Sequence, residues 1–143
     1  YKAYEKAGCK TYFNKKDHLW TLYEYETGEF HLPQNAIEGM IYGGCNCGNC
    51  HITISSNGDI MACRRVTNSK VGNVFEDRLA DIWITSMEKY RNYDQFTKCS
   101  KCELKAWCRG CPAVSNGTNG SFYRADPQCW KTKNDMTGED LEC

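Results

Sequence analysis

Apolar and polar positions alternate most clearly between residues 51 and 63. His51-Ile-Thr-Ile-Ser-Ser leads into Asn57-Gly58, and Asp59-Ile-Met-Ala-Cys63 follows. Two β-prone runs flanking Asn-Gly predict a hairpin closed by a two-residue type I′ turn. Such a hairpin carries Cys63 back toward the residues that precede it. Val71-Gly-Asn-Val predicts a short strand or a turn. From residue 77 to about residue 95 the period changes. Leu79, Trp83, Tyr90 and Tyr93 recur near helical spacing, with Ile82 and Met87 beside them. Glu76 and Asp77 at the start, and Lys89 and Arg91 later, suit the helix dipole. The aromatic stripe of this helix reads as core. Upstream, Leu19, Trp20, Leu22, Tyr23 and Tyr25 predict a second helix, capped by Asp17 and ended by Gly28. Past Ala113 the chain is rich in Gly, Asn and Ser. Its two sequon matches, Asn116-Gly-Thr118 and Asn119-Gly-Ser121, read as turns.

The thiols change this picture more than any other residue. The chain holds 11 cysteines in 143 residues. Nine fall into two groups: Cys45, Cys47, Cys50 and Cys63, then Cys99, Cys102, Cys108, Cys111 and Cys129. Cys99-Ser-Lys-Cys102 and Cys108-Arg-Gly-Cys111 are CxxC hooks, and each hook lets two sulfurs reach one metal centre from one tight turn. Three chemistries compete. Full disulfide pairing fails on an odd count, and no secretory signal accompanies the cysteines. Zinc fits four ligands in a closed tetrahedron, yet five residues between hooks is short for a zinc ribbon. One zinc knuckle also leaves Cys45, Cys47, Cys50, Cys63 and Cys129 without a role. Iron–sulfur cubanes are bulkier and suit short hooks joined by a distant Cys. Cys9 reads as a lone thiol, and His18 and His31 as surface residues.

Charge and composition narrow the function classes. The formal net charge is zero, which gives no support to nucleic-acid binding. No apolar run approaches the roughly 20 residues a membrane helix needs. The N-terminus, Tyr1-Lys-Ala-Tyr-Glu-Lys, contains no signal peptide, so a cytoplasmic location is expected. The chain does not start with Met, and a fragment of a longer protein is expected. Aliphatic residues are sparse, so a modest core needs staples, and metal can supply them.

Taken together, these residues resemble a SPASM domain. The features are an early Cys, the hairpin Gly58-Asp-Ile-Met-Ala-Cys63, then Cys-x2-Cys-x5-Cys, a nearby Cys and a final Cys. Val71-Gly-Asn-Val and Leu79-Ala-Asp-Ile-Trp83 resemble that family's linker and helix. The resemblance covers about residues 45–130. SPASM domains are C-terminal auxiliary-cluster modules of radical SAM enzymes, including anaerobic sulfatase-maturating enzymes and peptide maturases. The resemblance implies two 4Fe–4S clusters, with zinc as the alternative. Cys99, Cys102, Cys108 and Cys129 would hold the outer cluster. Cys63 and Cys111 would help hold the inner one, with ligands from among Cys45, Cys47 and Cys50. Where the family has three residues between the cysteines matching Cys108 and Cys111, this chain has Arg109 and Gly110 only. The turn must therefore be tighter. Arg64, Arg65 and Arg109 stand beside these cysteines and read equally as charges tuning a cluster and as surface cations.

The fold expected is small α+β: a β-hairpin and one main helix, Cys-rich loops around metal clusters, and a helical extension in front. Residues 1–44 would be the tail of a preceding radical SAM barrel, or a linker. Residues 45–143 would be the cluster domain. No CxxxCxxC motif is present, so S-adenosylmethionine would bind only in a separate N-terminal domain, and this chain alone would be inactive. The expected partners are that domain and a peptide or protein substrate, with no nucleic acid and no membrane. The expected role is electron transfer or substrate contact. The competing function is a zinc-binding interaction module without redox chemistry.

Overall fold

In the computed structural model, residues 1–13 and 18–131 are described. A short helix α1 spans Lys2–Lys6, and α2 spans Leu19–Glu26. Asp17, the expected cap of α2, lies outside the described residues. Strands β1 (Thr53–Ile54) and β2 (Asp59–Met61) form the hairpin, with Thr53 opposite Met61 and Ile54 opposite Ile60.

The hairpin closes differently from the expectation. A type I′ turn needs positive φ at both central residues. Gly58 has φ +85°, but no described non-glycine residue has positive φ, Asn57 included. The loop is instead three residues, Ser56-Asn57-Gly58. Ser55 N–H donates to the Asp59 carbonyl at 2.9 Å, and Gly58 N–H donates to the Ser55 carbonyl at 2.9 Å. Asn57 prefers this arrangement because its side-chain oxygen accepts from Asp59 N–H at 3.2 Å. Glycine suits position 58 because its φ of +85° is one that L side chains rarely adopt.

The Val71 segment is a strand. β3 (Lys70–Asn73) pairs antiparallel with β2, so the sheet has three strands in the order β1-β2-β3. The register slips between Ile60 and Met61. Ile60 and Ala62 are fully buried beneath the sheet.

The long helix expected over residues 77–95 does not form as one piece. Helix α3 covers only Leu79–Ile84, and single 3-10 turns follow at Glu88–Tyr90 and Tyr93–Gln95. The break has a local cause and a distant one. The Thr85 hydroxyl donates to the Asp81 carbonyl at 2.6 Å, and such a bond competes with the helical ladder. The Arg91 guanidinium then folds back, donating to the Trp83 carbonyl at 2.5 Å and the Gly48 carbonyl at 3.1 Å. The stripe still serves as core. Ile82, Met87 and Tyr90 are buried with Ile60, Val66, Phe96 and Phe122, while Leu79 is exposed. Tyr90 and Phe122 meet edge to face with centroids 4.8 Å apart.

The stretch beyond Cys111 also departs from expectation. Pro112–Asn119 is a helix, α4, with Pro at its first position and Gly120 in the left-handed conformation at its end. That Pro-to-Gly signature specifies a helix in spite of the intervening Asn and Gly. Asn116 therefore lies on a helix and not in a turn. A second, smaller core joins α2 to the later cysteines: Leu22, Leu104 and Cys108 are buried together, with Phe30 and Leu32 against them. The Tyr42 ring stacks on Trp107 at 5.3 Å, and Tyr42 N–H donates to the Ala106 carbonyl at 2.8 Å. The architecture is thus small α+β, with four short helices among the described residues in place of one main helix. No described helix is long and apolar enough to cross a membrane.

Candidate metal centre

Three separate segments converge on the first thiol group. Cys45 and Cys47 sit on the loop after Gly43-Gly44, where a turn at Asn46 brings the chain round toward β1. Cys47 is buried, and its thiol donates to the Ala62 carbonyl at 3.0 Å. Cys63 follows β2. Its backbone N–H donates at 3.2 Å to the Ser69 hydroxyl, which in turn donates to the Val66 carbonyl at 2.6 Å. Cys111 arrives at the N-terminus of α4. Its N–H donates to the Asp126 carboxylate at 2.7 Å. The thiols of Cys45 and Cys47 both lie within the electrostatic reach of Cys63 and Cys111.

The second group is built on hooks. Cys99 and Cys102 flank a single 3-10 turn, and Cys102 N–H donates to the Cys99 carbonyl at 3.2 Å. Leu104 anchors the next turn, where Cys108 N–H donates to its carbonyl at 2.7 Å. Cys129 closes the group from the far end of the chain. The Cys99 thiol senses Cys102, Cys108 and Cys129.

Burial dominates the electrostatics of both groups. It pushes the thiols of Cys45 and Cys108 up, Cys47 far up, and Cys99 up to about 12, with neighbouring thiols adding to the effect. Two backbone N–H groups oppose it: that of Cys47 faces the Cys45 sulfur, and that of Gly110 faces the Cys108 sulfur. Burial thus favours the neutral form of these four thiols, and metal binding must displace their protons. The donor set is all thiol, the soft set that takes iron–sulfur clusters or zinc. No group of three or more His, Cys, Asp or Glu among the described residues stands close enough to grip a single ion.

The structure sorts the remaining candidates. Cys50 is exposed at the foot of the hairpin and is not among the thiols acting on Cys47. Cys9, Arg64, Arg65 and His31 are exposed. His18 is not a free surface residue: its Nε2 lies 2.9 Å from the Asp126 carboxylate, which is buried. Arg109 is not a surface cation either, being 3% exposed. Asp126 escaped the sequence reading altogether, because its partners His18 and Cys111 are remote along the chain and no local pattern marks it. Gly110 makes the tight turn between Cys108 and Cys111. It has φ +65°, and a Cβ there would lie 2.7 Å from the Asp126 Cβ. A groove of about 420 Å³ opens nearby, lined by Met40, Arg91, Tyr93, Lys105 and Trp107 among others.

A three-stranded α+β scaffold carrying buried and half-buried thiols, all soft donors, defines a small cysteine-rich domain. Residues 45–112 match the family model of SPASM, an iron-sulfur cluster-binding domain. Over that segment the chain is similar to SPASM iron–sulfur cluster-binding domains. Two curated relatives are similar to it. An AdoMet-dependent heme synthase of Nitratidesulfovibrio vulgaris is 28% identical over 107 residues, covering 73% of this chain and 29% of the relative. An AdoMet-dependent heme synthase of Methanosarcina barkeri is 29% identical over 104 residues, covering 71% of this chain and 29% of the relative. The chain thus spans less than a third of the length of the curated relatives it matches. No solved structure matches it.

Proposed function

We propose that this chain is the auxiliary part of a radical SAM enzyme and holds two 4Fe–4S clusters. Cys99, Cys102, Cys108 and Cys129 hold the outer cluster. Cys45, Cys47, Cys63 and Cys111 hold the inner one, and Cys50 is a bystander. One observation carries this reading: eight buried or half-buried thiols divide into two sets of four, each drawn from distant segments. When bound, the clusters supply one-electron transfer. The chain's own residues exclude water from the thiols, hold the hooks in register and neutralise charge. The catalytic domain that binds S-adenosylmethionine lies outside this chain and is its partner. The 1–44 and 45–143 division belongs to this reading, as does a reducing, cytoplasmic compartment that keeps the thiols free.

The substrate is a peptide or protein, as the family resemblance implies. The names of the two curated relatives favour a second reading, a tetrapyrrole. The groove beside Tyr93 suits either, since Arg91 and Lys105 stand on its rim and its size lies within the range of small-molecule sites, about 300–1,000 Å³. Anaerobic titration of the full-length enzyme with a carboxylated porphyrin and with an unstructured peptide separates the two by which one perturbs the cluster spectra.

The cluster reading is tested by iron, acid-labile sulfide and zinc on anaerobically purified protein. Roughly eight irons and eight sulfides per chain are expected. Stoichiometric zinc without sulfide would overturn the proposal in favour of a zinc-binding interaction module.

A further inference from the structure

Arg109 is one of the most deeply buried residues in the chain, at 3% exposure. Its guanidinium donates to the carbonyls of Lys105 at 3.0 Å, Gly43 at 2.8 Å and Cys45 at 3.0 Å. It also lies over the Tyr93 ring, 4.7 Å from the centroid. No carboxylate meets it among the described residues. A buried cation without an anion is costly, and carbonyl dipoles and a ring face offset only part of that cost. Some anion is expected to complete the environment.

Its position identifies that anion. Arg109 follows Cys108 of the second thiol group in sequence and grips the backbone of Cys45 in the first. Arg109 is thus tied to both groups, along the chain to Cys108 and by hydrogen bond to the Cys45 backbone. A cubane in its oxidised state with four thiolate ligands carries a net charge of about −2, and one added electron makes it more negative.

We propose that Arg109 is the shared counter-charge of both clusters, a positioning residue that ties the Gly43–Cys45 loop to the Cys108 hook and raises both reduction potentials. This rests on the cluster reading above. In each reduction one electron passes from an external low-potential reductant to one cluster, and no bond breaks. The reduced form is the more anionic, so a nearby fixed cation stabilises it more than the oxidised form.

The test compares wild type, Arg109→Lys and Arg109→Gln of the full chain, purified anaerobically. Iron and sulfide content is measured first, then midpoint potentials by EPR-monitored redox titration. Arg109→Gln should shift both potentials downward. Arg109→Lys, which keeps the charge, should restore most of that shift. Urea unfolding gives an independent readout: cluster loading should raise the midpoint more in wild type than in Arg109→Gln. Loaded Arg109→Gln with both potentials unmoved overturns the proposal, and so does a shift confined to one cluster. If Arg109→Gln fails to load, the Lys variant decides. Loading at near wild-type potentials supports the charge role, whereas failure to load overturns it. A wild type without iron and sulfide overturns the cluster reading itself, which the first measurement reveals separately.

Discussion

Gly110→Ala is the sharpest single perturbation available in this fold. The residue has φ +65°, where an L side chain costs about 1–2 kcal/mol. The new Cβ would sit 2.7 Å from the Asp126 Cβ and 3.2 Å from its Oδ2, so something must move. Asp126 has little freedom to do so. It is 3% exposed, and its carboxylate already receives Cys111 N–H at 2.7 Å, Gln128 N–H at 2.8 Å and the His18 ring at 2.9 Å. Overpacking of this kind costs about 1–3 kcal/mol more, giving a total of about 2–5 kcal/mol. With a urea slope of about 1–3 kcal/mol/M, the midpoint should fall by at least about 0.7 M. The assay is tryptophan fluorescence of the metal-free protein in reductant, beside iron content of the loaded protein. The same strain should pull Cys111 away from its group and lower retained iron. Gly117→Ala is the internal control: nothing lies within 4 Å of its Cβ position in α4, so it should stabilise by about 0.5–1 kcal/mol. An unchanged midpoint with wild-type iron in Gly110→Ala would refute the argument that this turn is sterically fixed.

Other expectations follow from the same geometry. Cys50→Ser should retain the iron of the wild type, while Cys47→Ser and Cys99→Ser should each lose about half of it, read by metal analysis, if each group holds one cluster. Leu22 is 1% exposed and packs on Leu104 and Cys108; Leu22→Ala should cost about 2–5 kcal/mol by urea unfolding and speed iron loss to a chelator. Lys70 and the amides of Asn73 and Asn57 hold the Asp59 carboxyl below its ordinary 3.8. A depressed carboxyl stabilises the fold above its unfolded pKa and loses that contribution as pH falls through the folded value. Carboxyl NMR titration of the metal-free protein should therefore place Asp59 below 3.8, and Lys70→Gln should return it toward that value.

What could be read along the chain was whatever depends on near neighbours. Asn57-Gly58 between β-prone runs located the hairpin, and the CxxC hooks with their distal thiols located the metal chemistry and the family. Local signals misled where two of them competed. Asn57 favoured a three-residue loop through its own side chain, and Pro112 and Gly120 bounded a helix inside a stretch whose composition argued for turns. The apolar period of residues 79–93 correctly marked core, but it could not reveal that Arg91 would return to Trp83 and Gly48 and cut the helix short. Tertiary structure alone decided that His18 meets Asp126 across 108 positions, and that Arg109 is buried against the Cys45 backbone. The physical reason is one of range. Turn chemistry and ligand hooks act over a few residues and leave a mark in sequence. The partner of a buried charge is set by where the chain returns in space, and only the folded packing fixes that.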